Sequence, residues 1–494
     1  MNRVDASQLT TPTAPSTAYA QIVADGIAAR AGELALSLPA ERGAPAHLHD
    51  SLLAAARALG PQLVDLSHFL HANPELGYAE HQAAAAVADL AATAATAPVE
   101  VGVGGLPTAL RARLDFKPGP ALGTPGAAAG TPGVAPGAPA PQPHPDPNPE
   151  PHPEPLAAPH APTIAIACEY DALPEIGHAC GHNVMAATAV GAFLALAALR
   201  RQHGEGAVPG NVVLLGTPAE EGGTGKEVLI RAGVFDSLDA AVMTHAYGYD
   251  LADQLWLGCR RLTITYTGVS AHASSQPHMA RNALDAAALA YQGIGMLRQH
   301  MAPGDRLHAV IVEGGRRASI IPERAQLKLY VRSAAASTLK DLCSRVDDVA
   351  AGAALMTGCG VEVEWDPYLP VMPVRTNAAM TQSWVRAQEM TGRHPLPRGV
   401  VPETLAASTD FGNVSHLVPA IHPLIKVAGE EVALHTRAMA QAAGSQSGDA
   451  ACVDGAYGLA AVVLDLLHDS ALLAQARAEF EAAGGVLTTS QLFA

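Results

Sequence analysis

Apolar runs of strand length alternate with helical patterns through the first half of the chain. Leu110–Leu114 alternates apolar and basic residues, as a half-buried strand does, whereas Thr163–Cys168 is a continuous apolar run, as in a buried parallel sheet. An Ala-rich helical pattern follows at 184–201, then a strand pattern at Asn211–Gly216 and a further helical pattern at Gly225–Ala232. This order of strands and helices predicts an α/β fold with a mainly parallel sheet.

A second pattern occupies residues 255–368. Its order of elements, β-α-β-β-α-β, is that of a ferredoxin-like α+β module. The chain then returns to the first domain, which closes with a helix at Ala456–Leu467. The predicted elements of the module are the strand Arg261–Tyr266, the helix Asn282–Met301, the strands His308–Val312 and Ala325–Val331, the helix Ser337–Thr357 and the strand Gly360–Trp365.

These patterns divide the chain into two domains, one inserted in the other. We expect a disordered leader at 1–20, a first domain formed by 21–254 and 369–494, and the inserted module at 255–368. Residues 117–161 are almost wholly Pro, Gly and Ala, a composition that cannot bury enough apolar surface to order itself. Because strand patterns flank this segment on both sides, we interpret it as an exposed, disordered insertion in the first domain.

Composition narrows the range of partners. The chain has 494 residues, of which 49% are hydrophobic and 15% charged, and its formal net charge is −16. This negative charge argues against nucleic acid and against an anionic membrane surface. The six cysteines are scattered, the N-terminal sequence lacks an apolar signal core, and the apolar pattern at 184–199 is short of spanning length. We therefore expect a reduced, cytoplasmic location.

Residues with metal-binding chemistry lie just after the predicted strands, at the sheet edge where open α/β folds bind ligands. Cys180 and His182 are two residues apart, so an extended loop would point both side chains at one metal ion. Taken alone, a buried free cysteine and a capping histidine explain this pair equally well. Asp171 could orient a histidine ligand or simply form a turn, and His245 could be a ligand or an ordinary hydrogen-bonded histidine.

Two adjacent carboxylates, Glu220 and Glu221, follow the strand pattern at Asn211–Gly216. In an extended segment adjacent side chains point apart. One carboxylate could then bind metal while the other acts on a water molecule, first as general base and then as general acid. The alternative is a solvated acidic turn, but the position after an apolar strand favours the catalytic interpretation.

Residue type alone leaves the roles of two later histidines open. His272 lies in the inserted module and is either a surface residue in a turn or an electrophile that stabilises a tetrahedral oxyanion. His435 follows an acidic loop and, by its sequence context, is an ordinary loop histidine.

Several stretches of the chain, from about residue 60 to 468, resemble a known family. It is the dimetal aminoacylase/carboxypeptidase superfamily, metallopeptidase family twenty. The resemblance is greatest to its amidohydrolase branch, which includes indole-acetyl-amino-acid hydrolases, aminobenzoyl-glutamate hydrolase and dipeptidase-like members. The stretches that carry it are LHANPELGYAEHQAA at 70–84, EYDALPEIGHACGHN at 169–183, GTPAEEGGTGK at 216–226, GVSAHASSQPHMARNALDA at 268–286, RRASIIPE at 316–323 and STDFGNVSHLVPAIHP at 408–423.

The resemblance implies a role for each candidate residue. Glu220 would be the general base and acid, Asp171 would orient a histidine ligand, and His272 would reach from the partner subunit of a homodimer to polarise the scissile carbonyl. The inserted module would supply dimer contacts and a mobile lid. Two divalent metal ions, zinc or manganese, would be bound by Cys180, His182, Glu221, His245 and His435.

The chain departs from the family's usual pattern at a few positions. Asn183 replaces an Asp of many relatives, and Ser319 stands where relatives place an Asn, so it is our candidate for a substrate contact. Glu169 stands where the wider superfamily places a histidine ligand, which favours the cysteine-containing set of ligands. Arg332 is our candidate for binding the free carboxylate of the leaving amino acid.

The sequence therefore predicts a metallopeptidase domain with a mainly parallel sheet and an inserted ferredoxin-like dimerisation and lid domain. Its predicted activity is hydrolysis of the amide bond of a dipeptide or an N-acyl amino acid. The alternatives are an N-acyl-amino-acid or aminobenzoyl-glutamate amidase without dipeptidase activity and, more remotely, a non-catalytic metal-dependent binding or scaffold protein. We expect a homodimer or tetramer that acts on a small molecule.

Overall fold

The computed structural model describes residues 16–34, 42–117, 161–403 and 406–494. Most of the leader predicted at 1–20 and nearly all of the insertion predicted at 117–161 lie outside these described residues. Both stay predictions.

A six-stranded sheet lies at the centre of the first domain. Its strands are β1 (Glu100–Val101), β2 (Leu110–Leu114), β3 (Thr163–Cys168), β4 (Asn211–Gly216), β5 (Ala240–Val242) and β13 (Ala420–Ile421). Their order in the sheet is β1-β2-β4-β3-β5-β13. The four strands from β4 to β13 pair in parallel, whereas β2 runs antiparallel to β4 and β1 antiparallel to β2. The prediction of a mainly parallel sheet is confirmed.

Helices cover both faces of this sheet, because alternate residues of the apolar strands belong to different core clusters. Ile164 and Ile166 of β3 pack with the long helices on one face, while Ala165 packs with Leu229 and Phe411 on the other. The helices of the first domain are α1 (Ala18–Glu33), α2 (Ala46–Ala58), α3 (Gly60–Ala72), α4 (His81–Ala92), α5 (His182–His203), α6 (Gly225–Arg231), α9 (Ala378–Thr391), α10 (Phe411–Ser415), α11 (Arg437–Ala443), α12 (Gln446–His468), α13 (Ser470–Ala482) and α14 (Thr489–Phe493).

Helices α5 and α12 pack against each other in the core. Both are long and apolar enough to span a membrane by length and composition, with mean hydropathies of 1.6 and 1.7 over their most apolar windows. The expectation that the apolar pattern at 184–199 is too short was therefore wrong, because the helix begins earlier, at His182, and ends later, at His203. The share of each window buried in the protein, 94% and 83%, is typical of central core helices.

The inserted module is built on a second sheet, which is four-stranded and antiparallel. Its strands are β7 (Gly258–Thr267), β9 (Arg306–Glu313), β11 (Arg324–Ser333) and β12 (Gly360–Trp365), in the spatial order β12-β7-β11-β9. Helices α7 (Ala283–Leu297) and α8 (Ala336–Thr357) share one apolar cluster with this sheet, which confirms the ferredoxin-like prediction. A two-stranded ribbon pairs β8 (Ala271–His272) with β10 (Ile320–Ile321).

Candidate metal centre

The candidate ligands lie where strands of the first domain end. Asp171 follows β3, and the Glu220-Glu221 pair follows β4. His245 opens β6 (His245–Tyr247), a short strand that pairs in parallel with β14 (Leu424–Lys426). Because the parallel strands all end at one edge of the sheet, residues far apart in the chain meet there.

A tight turn at the start of α5 brings Cys180 and His182 to the same place. Gly181 between them has a φ of 80°, a left-handed conformation that glycine adopts without strain. The two side chains converge through this turn and not through the extended loop that the sequence suggested. The Cys180 Sγ lies 3.4 Å from His245 Nε2 and 3.6 Å from His435 Nε2.

The ligand atoms form two triplets that share Cys180. Within each triplet all the ligand atoms lie within 4.8 Å of one another. The first triplet is Cys180, His182 and His245, and the second is Cys180, Glu221 and His435. In the second, His435 Nε2 lies 3.3 Å from Glu221 Oε1. Thiolate, imidazole and carboxylate together are donors that suit a divalent transition metal.

Both carboxylates of the acidic pair turn toward His182, which corrects the sequence prediction that they point apart. Glu220, Glu221 and His182 form a third group with ligand atoms within 4.8 Å of one another. The pair lies in a turn after Ala219, whose φ is 60°, and not in an extended segment. Burial, and then the neighbouring Glu221 carboxylate, raises the pKa of Glu220 well above its usual value. A carboxylate with a raised pKa accepts a proton more readily than an unperturbed one.

Asp171 fixes the orientation of His182. The Nδ1–H of His182 donates to the backbone oxygen of Asp171 at 2.9 Å and lies 3.1 Å from its carboxylate Oδ1, which leaves Nε2 as the atom free to bind metal. The other carboxylate oxygen accepts a 2.8 Å hydrogen bond from the backbone N–H of Glu221. Burial alone would lower the pKa of His182, but the Asp171 carboxylate and then the Cys180 sulfur together outweigh burial and raise it.

A buried ion triad behind His182 was not predicted as part of the site. The Lys226 ammonium donates to the carboxylate of Glu169 and, at 2.6 Å, to that of Asp410. The remaining Glu169 oxygen lies 3.4 Å from His182 Nε2. Burial would lower the pKa of Lys226, but Asp410 and then Glu169 raise it, so the ammonium stays charged and compensates the two buried carboxylates.

His272, Ser319 and Arg332 lie in the inserted module, apart from this cluster. His272 and Ser319 are neighbours in the β8–β10 ribbon, where the Ala273 N–H donates to the Ser319 backbone oxygen at 2.9 Å. The ring of His272 is held by Ser274, whose hydroxyl lies 3.2 Å from its Nδ1. Within the described parts of the chain, no hydrogen bond or ion pair joins any of the three to the candidate ligands.

Two buried atoms of the cluster test whether a metal fits. His182 Nε2 and Glu221 Oε1 make no hydrogen bond among the residues that the structure describes, and each is only at ion-pair distance from a neighbour, 3.4 Å from Glu169 Oε2 and 3.3 Å from His435 Nε2. Metal coordination would satisfy both buried atoms. Burial, and then His182, lowers the pKa of His245 to about 3, so its imidazole is in the neutral form that metals bind. The residues present therefore fit a divalent metal.

Comparison with known proteins shows the family of this chain. The family model described as Peptidase family M20/M25/M40 matches residues 164–440, more than half of the chain. The chain belongs to this family. A curated relative, Xaa-Arg dipeptidase of Mus musculus, is 39% identical over 333 residues, which cover 66% of this chain and 75% of the relative. A p-aminobenzoyl-glutamate hydrolase subunit of Escherichia coli is 34% identical over 232 residues, 42% of this chain and 48% of the relative.

A solved structure of the same family has a similar fold. A solved structure described as a dinuclear metal binding peptidase of the M20 family, from Bacillus subtilis, superposes with a TM-score of 0.58 at 18% identity. The match covers 83% of this chain and 99% of that one. This M20 chain is a hydrolase that cleaves amide bonds with the help of divalent metal.

Proposed function

We propose that this M20 hydrolase is a dipeptidase that releases a C-terminal basic amino acid. The observation that carries the hydrolytic part is the position of Glu220, whose carboxylate lies within 4.8 Å of the ligand atoms of His182 and Glu221, one from each of the triplets that share Cys180. The similarity to Xaa-Arg dipeptidase of mouse, at 39% identity, and of human, at 37%, supports the choice of substrate.

Two metal ions, zinc or manganese, complete the proposed site. One would be bound by Cys180, His182 and His245, and the other by Cys180, Glu221 and His435, which the sharing of Cys180 between the triplets supports. Bound metal would polarise the scissile carbonyl and make water a stronger nucleophile at neutral pH. The thiolate favours zinc, while the carboxylate and imidazoles also suit manganese.

The chain's own residues would move the proton. The Glu220 carboxylate would take a proton from the attacking water and pass it to the nitrogen of the leaving amino acid as the C–N bond breaks. Asp171 would keep Nε2 of His182 turned toward the metal. From the inserted module, Arg332 and Ser319 would bind the substrate carboxylate, and His272 of a second subunit would polarise the carbonyl across a homodimer interface. The enzyme would act in the cytoplasm.

Replacing Glu220 with glutamine tests the mechanism. Glu220→Gln keeps the size of the side chain but cannot accept the proton, so kcat should fall by about 10²–10⁴-fold while metal content stays unchanged. The exposed Glu389→Gln is the matched control. Hydrolysis of Ala-Arg at the wild-type rate by the metal-loaded Glu220→Gln protein would refute the mechanism.

A substrate panel tests the choice of dipeptides. The rival is an N-acyl-amino-acid or aminobenzoyl-glutamate amidase, which the similarity to the p-aminobenzoyl-glutamate hydrolase subunit of Escherichia coli favours. We expect Ala-Arg and Ala-Lys to be cleaved faster than N-acetyl-arginine and p-aminobenzoyl-glutamate. Cleavage of the acyl compounds alone would favour the rival.

A further inference from the structure

A cavity of about 850 Å³ lies between helix α1 and the strand that carries His245. This volume is in the range of sites that bind small molecules. One wall is the apolar face of α1. The residues that line the cavity from α1 are Ala20, Gln21, Val23, Ala24 and Ile27, and Thr17 lines it just before the helix.

Helix α1 is anchored to the first domain and is not a loose leader segment. Ile27 is 5% exposed and packs in one core cluster with Trp256 and Val400. The guanidinium of Arg30 donates a 2.8 Å hydrogen bond to the backbone oxygen of Val400. The wall that α1 gives to the cavity is therefore part of the folded domain, although α1 lies outside the segment matched by the family model.

The cavity adjoins the candidate metal centre, because neighbouring residues in the chain serve both. Tyr247 lines the cavity two positions after His245 on β6, and Leu434 lines it immediately before His435. The ring of Trp256, which also lines the cavity, lies 5.2 Å from the ring of His245 between centroids. The cavity therefore lies next to the candidate metal centre, although none of the candidate ligands lines it.

The lining of the cavity is mostly apolar, and its charged residues are two exposed glutamates. It includes the carboxylates of Glu430 and Glu431 and the rings of Tyr247 and Tyr249, and no Lys or Arg lines it among the described residues. The ammonium of Lys426 lies 3.5 Å from Glu430 and neutralises part of its charge. Glu431 forms no ion pair with any residue that the structure describes. Glu431 is therefore the carboxylate left to meet a cation that enters the cavity.

We propose that this cavity binds the cationic side chain of the substrate's C-terminal arginine or lysine. The apolar face of α1 would cover the aliphatic stem, while Glu431, helped by Glu430 and the tyrosine rings, would meet the charged end. This inference rests on the proposed dipeptidase function and assigns its specificity to residues. It makes Glu431 a specificity-determining residue and α1 part of the substrate site.

The first test removes the charge of Glu431 and keeps its shape. In Glu431→Gln, kcat/KM for Ala-Arg and Ala-Lys should fall at least about tenfold, mainly through KM, while kcat/KM for Ala-Leu should change less than about twofold. The exposed Glu389→Gln should leave all three values unchanged. An equal loss for the three dipeptides, or no loss for any, would overturn the assignment.

The second test fills the cavity from α1. Ala24 lines the cavity, whereas Ala28, one turn further along the helix, does not, and both are exposed. Ala24→Trp should lower kcat/KM for Ala-Arg about tenfold or more and spare Ala-Gly, while Ala28→Trp should do neither. If Ala24→Trp cleaves Ala-Arg as well as wild type does, α1 is not a wall of the substrate site.

A binding measurement separates this inference from the dipeptidase proposal. Calorimetry would compare L-arginine amide with L-norleucine amide on the metal-loaded wild-type protein and on Glu431→Gln. Preference for arginine amide that is lost in Glu431→Gln supports the cavity assignment even if no dipeptide is cleaved, in which case only the proposed function fails. Equal binding of the two amides refutes the cavity assignment even if dipeptides are cleaved.

Discussion

At the scale of single residues, the candidate metal site includes buried side chains that contact the candidate ligands. Asp171 contacts His182 through Nδ1 and also accepts from the backbone N–H of Glu221. One buried carboxylate therefore orients members of both ligand triplets. The Lys226 ammonium pairs with the buried carboxylates of Glu169 and Asp410. Its removal would leave negative charge uncompensated in the interior.

The Asp171→Asn variant tests this support. Asparagine is neutral, and its amide NH₂ cannot accept the Glu221 N–H, so the orientation of His182 and of the Glu221 turn should both loosen. We expect the metal affinity to fall about 10–100-fold, as measured by competition with a coloured chelator. Asp236→Asn, at an exposed loop position, is the control. Unchanged affinity in Asp171→Asn would show that the carboxylate does not support the ligands.

At the scale of elements, the start of α5 sets the distance between the helix and β6. A Cβ on Gly181 would lie 2.4 Å from the Cβ of Ala246, the residue next to His245. The close approach of helix and strand therefore depends on a glycine at this turn, and it is this approach that places Cys180 Sγ 3.4 Å from His245 Nε2.

Two glycine substitutions on α5 separate packing from backbone strain. Gly181 and Gly204 flank the helix with φ values of 80° and 88°, but a Cβ on Gly204 would meet nothing within 4 Å. Each alanine variant should be destabilised by about 1–3 kcal/mol through strain, as measured by urea unfolding. Only Gly181→Ala should also lose metal affinity, by about tenfold or more, because the strand must shift. Equal metal affinity in both variants would contradict this account.

At the scale of the whole molecule, the proposed reaction needs residues from both domains. The ligands and Glu220 belong to the first domain, whereas His272 lies in the β8–β10 ribbon of the inserted module. The side chain of His272 is exposed, and its recorded hydrogen-bond partners lie in its own loop. These facts support the proposal that His272 serves the site of a second subunit.

Mixing two inactive variants tests this assembly. Glu220→Gln and His272→Ala should each be nearly inactive as homodimers. In a heterodimer one site would have Glu220 and a partner with intact His272, so an equal mixture after subunit exchange should regain roughly a quarter of wild-type activity. A mixture that stays at the sum of the two separate activities would argue against a shared site. Sedimentation of each variant would check that both still assemble.

Much of the fold could be predicted from the chain alone. The bounds of β2, β3, β4 and β12 agree with the predicted strands, because a short apolar or alternating run has few other stable structures. The helix predicted at Asn282–Met301 ends earlier, at Leu297, and continues as a short 3₁₀ turn. Ends of helices depend on local contacts that periodicity does not report.

The buried ion triad of Glu169, Lys226 and Asp410 could not be predicted from the periodicity of the chain. Lys226 opens a helix after a Gly-rich turn, where a lysine is ordinarily solvated. Its burial depends on Glu169, 57 positions away, and on Asp410, 184 positions away. The replacement of a family histidine by Glu169 was the signal that could have suggested a new partner at this position.

The sequence by itself determined the types of ligand, the presence of a spare carboxylate and the order of strands and helices, because these follow from residue chemistry and from local periodicity. The tertiary structure decided which candidate ligands share a triplet, how Glu220 and Glu221 turn, and that α1 lines a cavity next to the strand that carries His245. Those features depend on distances between residues that are far apart in the chain, and such distances are set only when the core packs.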